Sequence, residues 1–245
     1  MRAPTGGFDA IVRRAAAGYR PAGRGYYHFA RGKLAGDPVF AALLRDGLIP
    51  DGARVVDLGC GQGVLAALLA AAEAPEAQAH WPAGWARAPH GVRLLGVDLR
   101  ARAVAAGRLA LGTRATLKVG DVRTEPIPPC EVVALLDVLH YLDAAAQHAL
   151  LARIARSLSP AGRLLLRVGD ASAGWRFRVT LASDWIVTLA RGSGPPRLCC
   201  RSLGDWEALV ESVGLRVQAR RPMSRGTPFA NALIIAQPGA AAGGG

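Results

Sequence analysis

A chain of 245 residues, 51% of them hydrophobic, is long enough to bury a full core as one large domain with appendages. No run reaches the roughly 18 consecutive apolar residues of a membrane-spanning helix, and the basic N-terminus MRAPTGGFDAIVRRAAAGYR has no sustained apolar stretch to direct export; a cytoplasmic protein without a membrane span is expected. The 30 Lys and Arg outnumber the 18 Asp and Glu for a net charge of +12, but the excess is Arg scattered through an Ala- and Gly-rich sequence, so it reads as composition rather than a nucleic-acid patch.

Residues 1–52 are predicted to form an N-terminal helical lid. Helical patterning covers 8–17 and 37–47, the latter with Asp37 placed to cap and Pro38 at the first helical position. Between them RGYYHFARGKLAG mixes aromatics, cations and glycine and is read as a loop over a ligand. From residue 53 short apolar runs alternate with Ala- and Leu-rich helical segments, the signature of a parallel sheet with helices on both faces. Buried parallel strands are predicted at 54–58, 92–98, 115–119, 132–137 and 163–168. Strands 215–221 and 231–237 have no crossover helix between them and should pair as an antiparallel hairpin at the sheet edge. This gives an α/β, Rossmann-like, seven-stranded and mostly parallel sheet over 53–238, with insertions at about 73–91 and 171–200 and a disordered tail at 239–245. Four cysteines, of which Cys199 and Cys200 are adjacent, make neither a spaced metal site nor a disulfide framework, so reduced thiols and no metal are expected.

The chemistry concentrates at the strand ends. In VVDLGCGQG, Asp57 and Leu58 end the first strand, and Gly59, Gly61 and Gly63 alternate around Cys60 before the helical run VLAALLAAA. Glycine lets such a turn take unusual dihedrals and lets a ligand reach main chain at a helix N-terminus. A dinucleotide fingerprint would need its third glycine at position 64, which is Val64, and has no need of Asp57. LLGVDLR closes the second strand at Asp98 and Leu99. KVGDVRT places Gly120, Asp121 and Val122 after the third. EVVALLDVLHYLD ends the fourth at Asp137, followed by Val138, Leu139, His140 and Tyr141.

These four motifs in register resemble the class I S-adenosylmethionine-dependent methyltransferases over about residues 55–237. The resemblance implies S-adenosylmethionine as cofactor. Asp57 and the backbone at Gly59 and Gly61 would hold its amino-acid part, where a carboxylate suits an ammonium group. Asp98 would accept both ribose hydroxyls, with Leu99 alongside. Asp121 would accept the adenine amino group, with Gly120 and Val122 flanking the ring, and Asp137 and Val138 would complete the pocket. His140 and Tyr141 are the catalytic candidates, His140 because imidazole titrates near neutrality and can take a proton from a nucleophile. Relatives of many specificities carry LHYL or LHHL in this place, which implies instead a histidine that supports the loop or lines the cofactor pocket. Tyr27, His28 and Arg31 from the lid and Arg176 from the second insertion are the substrate-binding candidates.

Two absences narrow the acceptor. The Asn/Asp-Pro-Pro-Tyr run of exocyclic-amine methylation is missing after Asp137, and Ala171 stands where metal-dependent catechol enzymes carry asparagine after Asp170. The expected reaction is methyl transfer to an O or C nucleophile of a small aromatic or acyl substrate. YHFARGKLAGDPVF and GTPFAN further resemble methyltransferases encoded with bacterial aryl-polyene or fatty-acid-like synthesis genes, which implies a substrate on an acidic acyl carrier protein. The alternatives are an RNA methyltransferase and a non-catalytic cofactor-binding assembly protein.

Overall fold

The computed structural model describes residues 6–173, 198–223 and 230–239. The chain divides into two compact units, residues 1–125 and 126–245.

In the first unit, helix α1 (Gly6–Ala17) buries Ile11, Val12, Ala15 and Ala16 on one stripe and packs against helices α2 and α4. A single 3-10 turn, Arg20–Ala22, leads into α2 (Arg24–Gly36). The segment RGYYHFARGKLAG is therefore a helix and not the predicted loop. Its three glycines lower intrinsic propensity, but Ala30 and Leu34 lie one turn apart and are fully buried, so packing against α1 and α3 overrides the local preference. Helix α3 (Pro38–Arg45) starts as predicted: the Asp37 carboxylate accepts from the Val39 N–H at 3.2 Å and Pro38 holds the first position.

Strand β1 (Arg54–Leu58) is buried at every residue after Arg54, as a parallel strand covered on both faces must be. It pairs in parallel with β2 (Arg93–Asp98), and β2 pairs in parallel with β3 (Thr116–Val119). Helix α4 (Val64–Ala72) buries seven of its nine residues, and α6 (Ala101–Leu111) follows β2. The insertion between them holds the one-turn helix α5 (Pro75–Gln78) and an aromatic cluster. The Trp85 ring meets Phe8 at 5.5 Å and Trp81 at 6.0 Å, and Trp81 donates from Nε1 to the Ala86 carbonyl.

In the second unit β4 (Cys130–Leu136) pairs in parallel with β5 (Leu158–Gly169). Strand β5 begins five residues earlier than predicted. Pro160 and Gly162 are turn-favouring residues, but Leu158 pairs with Cys130 across a bulge before the regular register resumes at Arg163 opposite Val132. Between the two strands lies α7 (Ala144–Ser157), capped by the Asp143 carboxylate, which accepts from the Ala146 N–H at 2.8 Å. Helix α8 (Leu203–Ser212) is capped by Ser202 and buries Trp206, whose Nε1 donates to the Gly169 carbonyl. Strands β6 (Leu215–Pro222) and β7 (Asn231–Pro238) form the predicted antiparallel hairpin, and β7 also pairs antiparallel with β5. The strand order is β3-β2-β1-β4-β5-β7-β6, the Rossmann-like arrangement that the alternating pattern implied. No helix among the described residues is long and apolar enough to cross a membrane.

Candidate cofactor-binding site

The glycine turn of the first unit owes its shape to three left-handed residues. Gly59, Gly61 and Gly63 have φ of 79°, 62° and 76°, a region closed to most side chains. The turn is tied to β2, since the N–H groups of Gly59 and Cys60 both donate to the Val97 carbonyl at 2.7 and 3.1 Å. Gly63 sits so near Leu111 and Leu117 that a Cβ there would come within 3.0 Å of both. Asp57 is buried at the end of β1 beside this turn, and Leu58 and Cys60 are buried with it. Burial, reinforced by the negative charge of Asp98, pushes the Asp57 carboxyl up to about 7. A buried carboxyl poised at neutrality is a natural seat for a cation.

Asp98 ends β2 with its carboxylate almost wholly enclosed. Oδ2 accepts from the Gly61 N–H at 2.8 Å, which joins the strand end to the turn, and Oδ1 accepts from the Arg100 N–H at 2.9 Å. The Arg100 guanidinium adds bonds from Nε to Oδ1 at 2.9 Å and from Nη2 to Oδ2 at 3.1 Å. Burial alone would raise this carboxyl; the Arg100 and Gly61 donors outweigh it and hold it below the usual range. Leu99 next to it is 64% exposed, an apolar side chain that a planar ring could cover. Asp121, in the turn after β3, is held the same way: Arg123 donates through its backbone N–H, Nε and Nη2, and its bonding lowers the carboxyl. Val122 is buried beside it, and the Gly120 N–H donates to the Asp98 carbonyl. These residues fit an S-adenosyl group: a near-neutral buried acid for the ammonium, an acid at a strand end for a diol, and an exposed leucine for a base.

Two contacts that sequence reasoning missed connect the N-terminal helices to the turn. The fully buried Tyr19 hydroxyl donates to the Gln62 carbonyl at 2.7 Å, and the Gln62 amide donates from Nε2 to the Tyr26 carbonyl at 2.9 Å. Burial raises the Tyr19 phenol well above its ordinary value, so it stays a donor. The only sequence signal was Gln62 itself, an amide inside a run of glycines. Of the substrate-binding candidates on α2, Tyr27 is half-buried, with the Arg20 guanidinium 5.5 Å from its ring centroid and the His28 ring edge-on at 5.0 Å. His28 and Arg31 are exposed. Arg176 lies outside the described residues.

In the second unit, Asp137 follows β4 at φ 59°, a left-handed conformation that costs a non-glycine residue about 1–3 kcal/mol. The buried Arg167 of β5 holds it there, donating to the carboxylate from Nε at 2.6 Å and also from Nη2, while its carbonyl accepts from the Asp137 N–H. Val138 leads into the 3-10 turn Leu139–Tyr141. His140 is buried under the half-exposed Tyr141, ring centroids 4.3 Å apart. Burial lowers its imidazole, with Asp137 opposing and Arg167 reinforcing, so the ring is neutral at neutral pH. Gln147 of α7, fully buried, fastens this turn from below. Its Nε2 places two N–H donors among the carbonyls of Leu139, Leu142 and Cys199, its Oε1 accepts from Arg201, and the Cys199 N–H donates to the His140 carbonyl at 2.8 Å. Asp170, by contrast, is spent on structure: its Oδ1 accepts from the Ser172 N–H and hydroxyl and from the Leu203 N–H.

A family model described as a methyltransferase domain matches residues 26–220. No curated protein matches the sequence. Among solved structures, a methyltransferase bound to the Haloferax volcanii Trm112 activator is similar at 18% identity and a TM-score of 0.61, over 93% of this chain and 98% of that one. Human N-acetylserotonin methyltransferase in complex with SAM is similar at 17% identity and a TM-score of 0.60, over 95% of this chain and 59% of that one. The Burkholderia thailandensis 1,6-didemethyltoxoflavin-N1-methyltransferase with bound S-adenosylhomocysteine follows at 18% and 0.55, over 91% and 79%. With the family model spanning most of the chain and the strand order and glycine turn in place, this protein belongs to the class I S-adenosylmethionine-dependent methyltransferases.

Proposed function

We propose that the protein methylates an O or C nucleophile on a small aromatic or acyl substrate. The observation that carries this reading is the geometry of the turn after β4: a buried His140, its imidazole lowered by that burial, beside an exposed Tyr141, on a backbone pinned by Gln147. S-adenosylmethionine brings a methyl group already activated on a sulfonium, so the protein's part is to position the acceptor and to take a proton where the acceptor carries one. A neutral imidazole can take that proton, and a phenol edge can orient an aromatic acceptor. For the cofactor, we assign Asp57 to the ammonium, Asp98 to the ribose diol, Leu99 and Val122 to the adenine faces and Asp121 to its amino group. The exposed His28 and Arg31 and the half-buried Tyr27 give α2 the aromatic and cationic character suited to an anionic or acyl substrate.

The test is incorporation of label from [methyl-3H]S-adenosylmethionine into phenolic and acyl acceptors, offered free and as carrier-bound thioesters, with total RNA as competitor. Label in a small acceptor, lost at least tenfold in His140→Ala with cofactor binding intact, is expected where the acceptor must lose a proton. Label confined to RNA would overturn the reading. Label on the thioester but not the free acid would fix the substrate as carrier-borne.

A further inference from the structure

The ribose carboxylate already has a full set of donors within its own chain. A carboxylate offers about four acceptor positions, and Asp98 meets four hydrogen bonds: the N–H groups of Gly61 and Arg100 and two from the Arg100 guanidinium. The two backbone donors are fixed by the turn and by the start of α6. The guanidinium, by contrast, belongs to a long side chain at the surface. Its side chain is 42% exposed, and it reaches back over the glycine turn, where a Cβ on Gly61 would stand 2.9 Å from Nη2. A ribose diol arriving at Asp98 needs the two positions this group holds.

We propose that Arg100 is an internal competitor of the cofactor: its guanidinium takes the place of the ribose diol on Asp98 and must swing away before the nucleoside can bind. This deepens the assignment of Asp98 to the ribose and rests on it. The geometry is also repeated. Asp121, assigned to the adenine amino group, is gripped by Arg123 two residues on, in the same Asp-x-Arg spacing and with the same combination of backbone and guanidinium donors. Both carboxylates given to the nucleoside are thus satisfied by the chain until a ligand replaces the arginines. Such a device sets affinity through the strength of the ion pair and keeps the Asp98 carboxylate from standing desolvated and unpaired.

The experiment is calorimetric titration of the full-length protein with S-adenosylhomocysteine and with its 2′,3′-dideoxy analogue, for wild type, Arg100→Gln, Arg100→Ala and Asp98→Ala. Competition predicts that both Arg100 variants bind S-adenosylhomocysteine about fivefold more tightly, the factor corresponding to a part-exposed ion pair, and that the gain vanishes with the dideoxy analogue. Unchanged or weaker binding of S-adenosylhomocysteine by both Arg100 variants would overturn the proposal, as would an equal gain with both ligands, since that would mark Arg100 as an obstruction and not a rival for the carboxylate. Asp98→Ala separates the two levels. If it leaves affinity unchanged, the ribose assignment falls and this proposal with it; if it weakens binding while the Arg100 variants show no gain, only the competition is wrong.

Discussion

Asp57 joins burial to function through its protonation. Its carboxyl is raised to about 7 by desolvation, so the protonated form is favoured in the folded chain. Asp57 therefore costs nothing below its unfolded value near 3.8, and destabilises progressively as pH rises from there toward 7. An ammonium bound at Asp57, as proposed above, would reverse this by favouring the carboxylate. Affinity for S-adenosylhomocysteine should therefore rise as pH climbs toward 7 and level off above it, with proton release on binding below that value, and Asp57→Asn should flatten the profile, weaken binding at least tenfold and unfold at higher temperature than wild type above pH 7. Calorimetry in buffers of different ionisation enthalpy reads the proton directly; a pH-independent wild type would remove Asp57 from the ammonium site. Asp57 in β1, Asp98 at the end of β2 and Asp121 in the turn after β3 were legible as positions because each falls where an apolar run closes. Their arginine partners were not. The Asp98–Arg100 and Asp121–Arg123 pairs depend on turn geometry, and Arg167 meets Asp137 only because β4 and β5 run side by side in register.

Among the elements, α2 shows where pattern reading fails and why. Three glycines and a run of aromatics argue against a helix locally, yet two buried side chains one turn apart and the packing of α1 and α3 decide the matter. The same helix completes the clamp on the glycine turn, in which Tyr19 donates to the Gln62 backbone and Gln62 donates to the Tyr26 backbone. Tyr19→Phe removes one buried hydroxyl and leaves the Gln62 carbonyl without that donor, a change worth about 1 kcal/mol of stability. If the clamp also shapes the cofactor turn, Tyr19→Phe lowers S-adenosylhomocysteine affinity severalfold at a temperature where the variant is fully folded. A lower melting temperature with unaltered affinity would reduce the clamp to packing. Neither contact could be read from spacing, because a tyrosine and a glutamine 43 residues apart carry no shared motif. The hairpin β6–β7 and the capped α3 were legible, since the first follows from a connection too short for a helix and the second from Asp-Pro chemistry.

For the whole molecule, the net charge of +12 marks an excess of arginine, and five of the arginines bond to groups of their own chain. Arg100, Arg123 and Arg167 hold the carboxylates of Asp98, Asp121 and Asp137, Arg108 donates to the Leu117 carbonyl, and Arg201 donates to Gln147. Such pairing leaves the net charge at +12, so charge by itself names no partner, and the functional reading rests on the cofactor site instead. The measurement that tests it most directly is a titration of S-adenosylhomocysteine into wild type and Asp98→Ala, with a nicotinamide dinucleotide as control. One molecule bound per chain, an affinity at least tenfold weaker in Asp98→Ala and no binding of the dinucleotide are expected. Equal affinity in the two proteins, or preference for the dinucleotide, would contradict it.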